Sequence, residues 1–98
     1  MDNASPVTNR DIYLYLNTLG FPHSLSGRRY IFDAIQTCIE NPAYKLQVLK
    51  IYEVIARKNE VTPASVERCI RHSLRAAGIG GTNKEFIARS ADFFLDGV

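Results

Sequence analysis

Apolar residues recur along this chain at three- and four-residue intervals from near its beginning to near its end, and nowhere do they alternate with polar ones. That spacing lines up one face of a helix with 3.6 residues per turn, and the missing two-residue period excludes half-buried strands. Helices are thus the only elements the pattern supports. The chain has 98 residues, 46% of them hydrophobic and 22% charged. That describes one domain, 1–98, whose core is small but sufficient without disulfide or metal staples. Residues 1–8 are expected to form a flexible tail, and a multidomain enzyme is excluded.

The first helix is expected from Thr8 or Asn9 to Leu19, on the spacing of Ile12, Leu16 and Leu19, with Gly20 and Pro22 as the stop. Tyr13 and Tyr15 widen its stripe. A second, roughly Gly27 to Asn41, buries Ile31, Ala34, Ile35, Cys38 and Ile39 and ends before Pro42, which pushes its predecessor out of the helical region. The third, Ala43 to about Lys58, turns Tyr44, Val48, Ile51, Tyr52 and Ile55 inward and carries Lys45, Lys50, Arg57 and Lys58 on its polar side. After the break Asn59-Glu60-Val61-Thr62, Thr62 is an N-cap and Pro63 occupies the first helical position, where its missing N–H costs nothing. This fourth helix runs to Ala77 and Gly78. The flexible link Gly78-Ile79-Gly80-Gly81 then leads to a T-x-x-E capping box, Thr82 with Glu85, opening a last helix with Phe86, Ile87, Ala91, Phe94 and Leu95 inward. The expected fold is an all-α, five-helix domain containing a helix-turn-helix with its recognition helix at about 63–77.

Net charge is only +2, so its distribution carries the information. Residues 45–75 hold seven cations (Lys45, Lys50, Arg57, Lys58, Arg68, Arg71, Arg75) against three acids (Glu53, Glu60, Glu67), net +4, while the segments on either side are each net −1. On the fourth helix Val66, Cys69, Ile70, Ser73, Leu74 and Ala77 share one arc, and Ala64, Ser65, Arg68, Arg71, His72 and Arg75 share the other. Charged faces are commonly just solvated. Here the only nearby acid is Glu67, which can pair with Arg71 at i+4 and leaves Arg68 and Arg75 unneutralised. The small residues Ala64 and Ser65 allow close approach, free N–H groups of the first turn favour a phosphate, and arginine reads guanine bidentately. The residues alone support a contact surface for double-stranded DNA and a merely solvated face equally well.

Other chemistries fit less well. His23, Cys38, Cys69 and His72 make up the inventory of a zinc site but lack finger spacing, and both cysteines continue apolar stripes. Cys69 with His72 has no orienting third group for nucleophilic catalysis. The GIGG link has neither the lysine nor the preceding strand of a phosphate loop. No enzyme activity and no cofactor are expected. Arg28 and Arg29, opening the second helix against its dipole, read as solvated side chains, with phosphate contact the alternative. Tyr13, Tyr15, Tyr30 and Tyr44 read as packing. The start of the chain lacks an apolar signal core and no run is long enough for a membrane span, so the expected location is the cytoplasm.

The segments LGFPHSLSGRRYIFDAI, IYEVIARKN, VTPASVERCIRHSL and TNKEFIARSAD together resemble the C-terminal DNA-binding effector domain of the sporulation initiation response regulator family, from about Asp11 to Phe94. The resemblance implies an all-helical transcription-factor domain that inserts its recognition helix into a short operator box, often with a second copy in tandem. It places Glu67, Arg68, Arg71 and His72 in or beside the base-contacting surface; the distribution of charge and small polar residues, apart from the resemblance, makes Lys45, Lys50, Arg57, Lys58, Ser65 and Arg75 the candidate phosphate contacts. Two departures stand out. Ser65 replaces the arginine that usually precedes the VER triplet, so one contact is missing and the operator need not be the family's. The family also carries an additional helix, implicated in RNA polymerase contact, where this chain has only Gly78 to Gly81. The resemblance therefore gives no ground for polymerase contact here. Nor do 98 residues leave room for the receiver domain of such regulators, so the chain is either an excised effector or a stand-alone paralogue. A second function class stays open: an interaction module, or an antagonist of full-length relatives, that keeps the fold and binds protein through the same face.

Overall fold

The computed structural model describes residues 7–22 and 26–96. They form five α-helices: α1 (Asn9–Thr18), α2 (Ser26–Glu40), α3 (Val48–Asn59), α4 (Pro63–Ala76) and α5 (Asn83–Leu95), with a 3₁₀ turn at Pro42–Leu46 between α2 and α3. Among the described residues there is no strand, and no helix is long and apolar enough to cross a membrane. The all-α expectation holds.

Three of the helix starts have a local cause. Thr8 caps α1 through a box with Asp11, Thr62 accepts the Ser65 N–H ahead of Pro63, and Thr82 forms its box with Glu85. These bonds occupy first-turn N–H groups that have no partner inside the helix. Glu60 closes α3 in the left-handed region at φ 58°, and its N–H and that of Val61 both reach the Ala56 carbonyl. Asn59 is still helical, so the turn into α4 is one residue shorter than the sequence pattern indicates.

The core lies around α2, which packs against every other helix and most extensively against α4. Ile31, Ile35 and Cys38 of α2 meet Ile51 and Ile55 of α3, Val66 and Ile70 of α4, and Ile87 of α5, all fully shielded from solvent. Gly27 makes the α2–α4 approach possible. A Cβ there would lie 1.9 Å from Ser73 Oγ and 2.2 Å from the Cys69 carbonyl oxygen.

The structure corrects two expectations. The third helix does not start at Ala43: the chain makes a 3₁₀ turn through Leu46, and Gln47, at φ −118° and ψ 66°, separates it from α3. The turn packs on α2 and α5 whereas α3 packs on α4, so one straight helix could not satisfy both directions. The Gln47 side chain donates to the Ala43 carbonyl at 2.9 Å, standing in for a lost helical N–H. Arg28, in turn, is buried rather than solvated. Its guanidinium donates to the Phe21 carbonyl at 3.0 Å, the Asn17 side chain at 2.8 Å and the Tyr13 carbonyl at 3.3 Å, and lies over the Tyr13 ring. The last turn of α1 contains no basic residue, and Arg28 supplies the positive charge its carbonyl end favours. Arg29 is exposed, as expected.

Candidate nucleic-acid interface

The two arcs read on the fourth helix separate in α4. Val66, Ile70, Ser73 and Leu74 are buried, whereas Ala64, Arg68, His72 and Arg75 are exposed. Ser65, Glu67, Cys69 and Arg71 lie half-buried at the borders. Cys69 is thus less enclosed than a residue of the apolar stripe was expected to be.

Glu67 and Arg71 form the expected i,i+4 pair. Arg71 Nε donates to Glu67 Oε2 at 3.1 Å and Nη2 to Oε1 at 3.4 Å. The pair orients two of the proposed base-contacting side chains but, being half exposed, adds little to stability. Arg68, His72 and Arg75 take part in no ion pair among the described residues.

The other phosphate candidates divide into two sets. Lys45, in the 3₁₀ turn, bonds to Asp92 of α5, and that hydrogen bond, together with the Asp92 and Asp96 charges, holds its ammonium above the ordinary lysine range. Lys58 lies 3.0 Å from Oδ1 of Asp33, a buried carboxylate whose Oδ2 also accepts from the Asn59 side chain at 3.1 Å. A buried charge requires such partners, so Lys58 has a structural task. Lys50 and Arg57 are exposed and have no acidic partner among the described residues.

Sequence reasoning missed what anchors α4 from behind. Asn83, the first residue of α5, is buried, and its Nδ2 donates to the Glu67 carbonyl at 3.0 Å and to the Tyr52 hydroxyl at 3.1 Å. Burial pushes the Tyr52 phenol up, which keeps it protonated as a hydrogen-bond partner. One amide thus ties α3, α4 and α5 together behind the Glu67–Arg71 pair. The available signal was an asparagine immediately after the capping Thr82, a position where a core-facing amide has a helix start on one side and neighbouring helices on the other.

Among the described residues no group of three or more His, Cys, Asp and Glu side chains could hold a metal ion. Cys38 is buried, and desolvation pushes its thiol up to about 11. Cys69 is an unpaired thiol, His72 is exposed, and His23 lies outside the described residues. Compared with known families, residues 12–89 match the model described as "Sporulation initiation factor Spo0A C terminal". The match runs from the buried face of α1 into α5 and takes in all of α2, α3 and α4.

Proposed function

Because the chain belongs to the family of Spo0A C-terminal effector domains, which are DNA-binding domains, we propose that it is a sequence-specific transcriptional regulator with α4 as its recognition helix in the major groove. The observation that carries this reading is the outer face of α4. Arg68, His72 and Arg75 stand exposed there, and its one acid, Glu67, already pairs with Arg71. A guanidinium free of intramolecular partners can present two N–H groups to guanine O6 and N7, and a carboxylate can accept from cytosine N4. Arg68 therefore reads a guanine, while Glu67, Arg71 and His72 read neighbouring base edges.

Lys50, Arg57, Ser65 and Arg75 serve as phosphate contacts. Lys45 and Lys58 act there only by exchanging Asp92 and Asp33 for a phosphate, which makes them the weaker members of the set. Copies bind in tandem where operator boxes repeat. The test is duplex affinity against salt, with random sequence and with a selected library. Neutralising four to six phosphates gives log K against log salt a slope of roughly −4 to −5. A flat response without sequence enrichment would replace this reading with that of a protein-interaction module.

A further inference from the structure

Between the C-terminal half of α4 and the start of α5 lies a hollow of about 340 Å³. Its charged lining is Glu67, Arg71, Arg75 and Lys84, net +2, and its floor includes Leu74 and Ile79. The charges of Glu67 and Arg71 offset each other, so the excess belongs to Arg75 and Lys84, both exposed and neither in an ion pair among the described residues. They come from different helices. Gly81, at φ 90°, turns the link into the Thr82–Glu85 capping box, so the first turn of α5 that carries Lys84 is held in place.

We propose that Arg75 and Lys84 jointly hold one backbone phosphate of duplex DNA at the mouth of this hollow, a site that rests on the DNA-binding reading above. The distances along α4 suit it. Arg75 follows Arg68 by seven residues, about 10 Å along the axis at ~1.5 Å per residue. The major groove is ~12 Å wide, so a helix that sets Arg68 over base edges carries Arg75 to the wall, where the phosphates run. Lys84 also borders the neighbouring hollow formed with Leu46, Val48 and Lys50. It thereby joins Arg75 to Lys50 as one cationic path for consecutive phosphates.

The same features select a phosphodiester of DNA over a free phosphate ion. The buried amide beside the hollow, Asn83 Nδ2, is spent on Glu67 and Tyr52, so no enclosed donor replaces the hydration shell of a small anion. Two exposed cations at an open mouth bind weakly by themselves. They act effectively on a phosphate that the rest of the interface already holds nearby at high effective concentration.

The test uses the whole chain and compares Lys84→Gln, Arg75→Gln and the double variant on a selected and a random duplex across a salt series. Each single change should weaken both duplexes alike, by roughly 5- to 10-fold at low salt, and reduce the magnitude of the slope by about 1. The double variant should lose about the same slope as either single one, because one phosphate is shared. An unchanged slope in Lys84→Gln, or a double loss near 2, overturns the shared site. If the unaltered chain binds selectively through Arg68 while ignoring Lys84, only this inference falls; if it binds no duplex, the DNA-binding reading falls with it. Inorganic phosphate provides the other arm. Amide shifts at 82–84 on adding it at low millimolar concentration without DNA would reassign the hollow to a free anion.

Discussion

Two arginines of this chain have opposite tasks, and burial separates them. Arg68 sits at the centre of the exposed face of α4, whereas Arg28 is buried and directs its donors at Phe21, Asn17 and Tyr13. Arg68→Ala should leave the circular dichroism spectrum unchanged and cost ~1 to 3 kcal/mol on the preferred duplex, with selectivity relaxed at one or two bases. An equal loss on random and preferred duplexes would make Arg68 a backbone contact instead. Arg28→Met keeps the length of the side chain but leaves two carbonyls and an amide without their donor. Urea titration should show a loss of ~2 kcal/mol, since the Phe21 carbonyl, the acceptor of the buried bond, bears its desolvation cost without a partner while the two part-buried acceptors add less. Arg29→Met, on an exposed neighbour, should change stability by less than ~0.5 kcal/mol. If the two substitutions prove equivalent, the buried placement of Arg28 is wrong.

Among the elements, the contact between α2 and α4 leaves least room for change. Gly27→Ala would set a methyl against both Ser73 Oγ and the Cys69 carbonyl, so the helices must separate and the shared core with them. The expected result is a loss of ~2 kcal/mol or more, seen as a lowered thermal midpoint. Ser73→Ala in the same chain should restore little, because the carbonyl at 2.2 Å remains; full rescue would show that the hydroxyl alone was the obstacle. Such a contact is illegible in sequence, where Gly27 looks like a helix start. The helices themselves were legible because capping chemistry and apolar spacing agree, as at Thr62–Pro63 and Thr82–Glu85. The break at Gln47 was not, since Tyr44, Val48 and Ile51 keep helical spacing across it and only the competing packing of the turn and α3 interrupts the helix. For the same reason the outer face of α4 could be read from one segment, whereas the roles of Lys45, Lys58 and Asn83 depend on Asp92, Asp33 and Tyr52, which are distant in sequence.

For the molecule as a whole, titrating groups bound the pH range in which the core and its caps hold together. Glu85 accepts the Thr82 N–H, and this hydrogen bond lowers its pKa from 4.5. A depressed carboxyl stabilises the fold above its unfolded value and ceases to do so as pH falls through the folded one, so the α5 cap weakens on the acid side. Cys38 acts in the opposite direction. Its thiol rises from 9.0 to about 11 because burial disfavours the thiolate, so between these values the folded state binds more protons than the unfolded one. Its contribution is therefore complete below pH 9 and is lost as pH rises towards 11. Tyr52, also raised by burial, adds to the same alkaline decline. Cys38→Ala isolates the thiol. It should lower stability near neutrality through the small cavity it leaves, and the gap to the unaltered chain should shrink between pH 9 and 11, as only the unaltered chain must then bury a group that ionises freely when unfolded. Urea titrations at pH 8, 9.5 and 10.5 measure that gap. If it stays constant while both proteins decline together, the alkaline limb belongs to Tyr52 and other groups, and Cys38 does not titrate at a raised value.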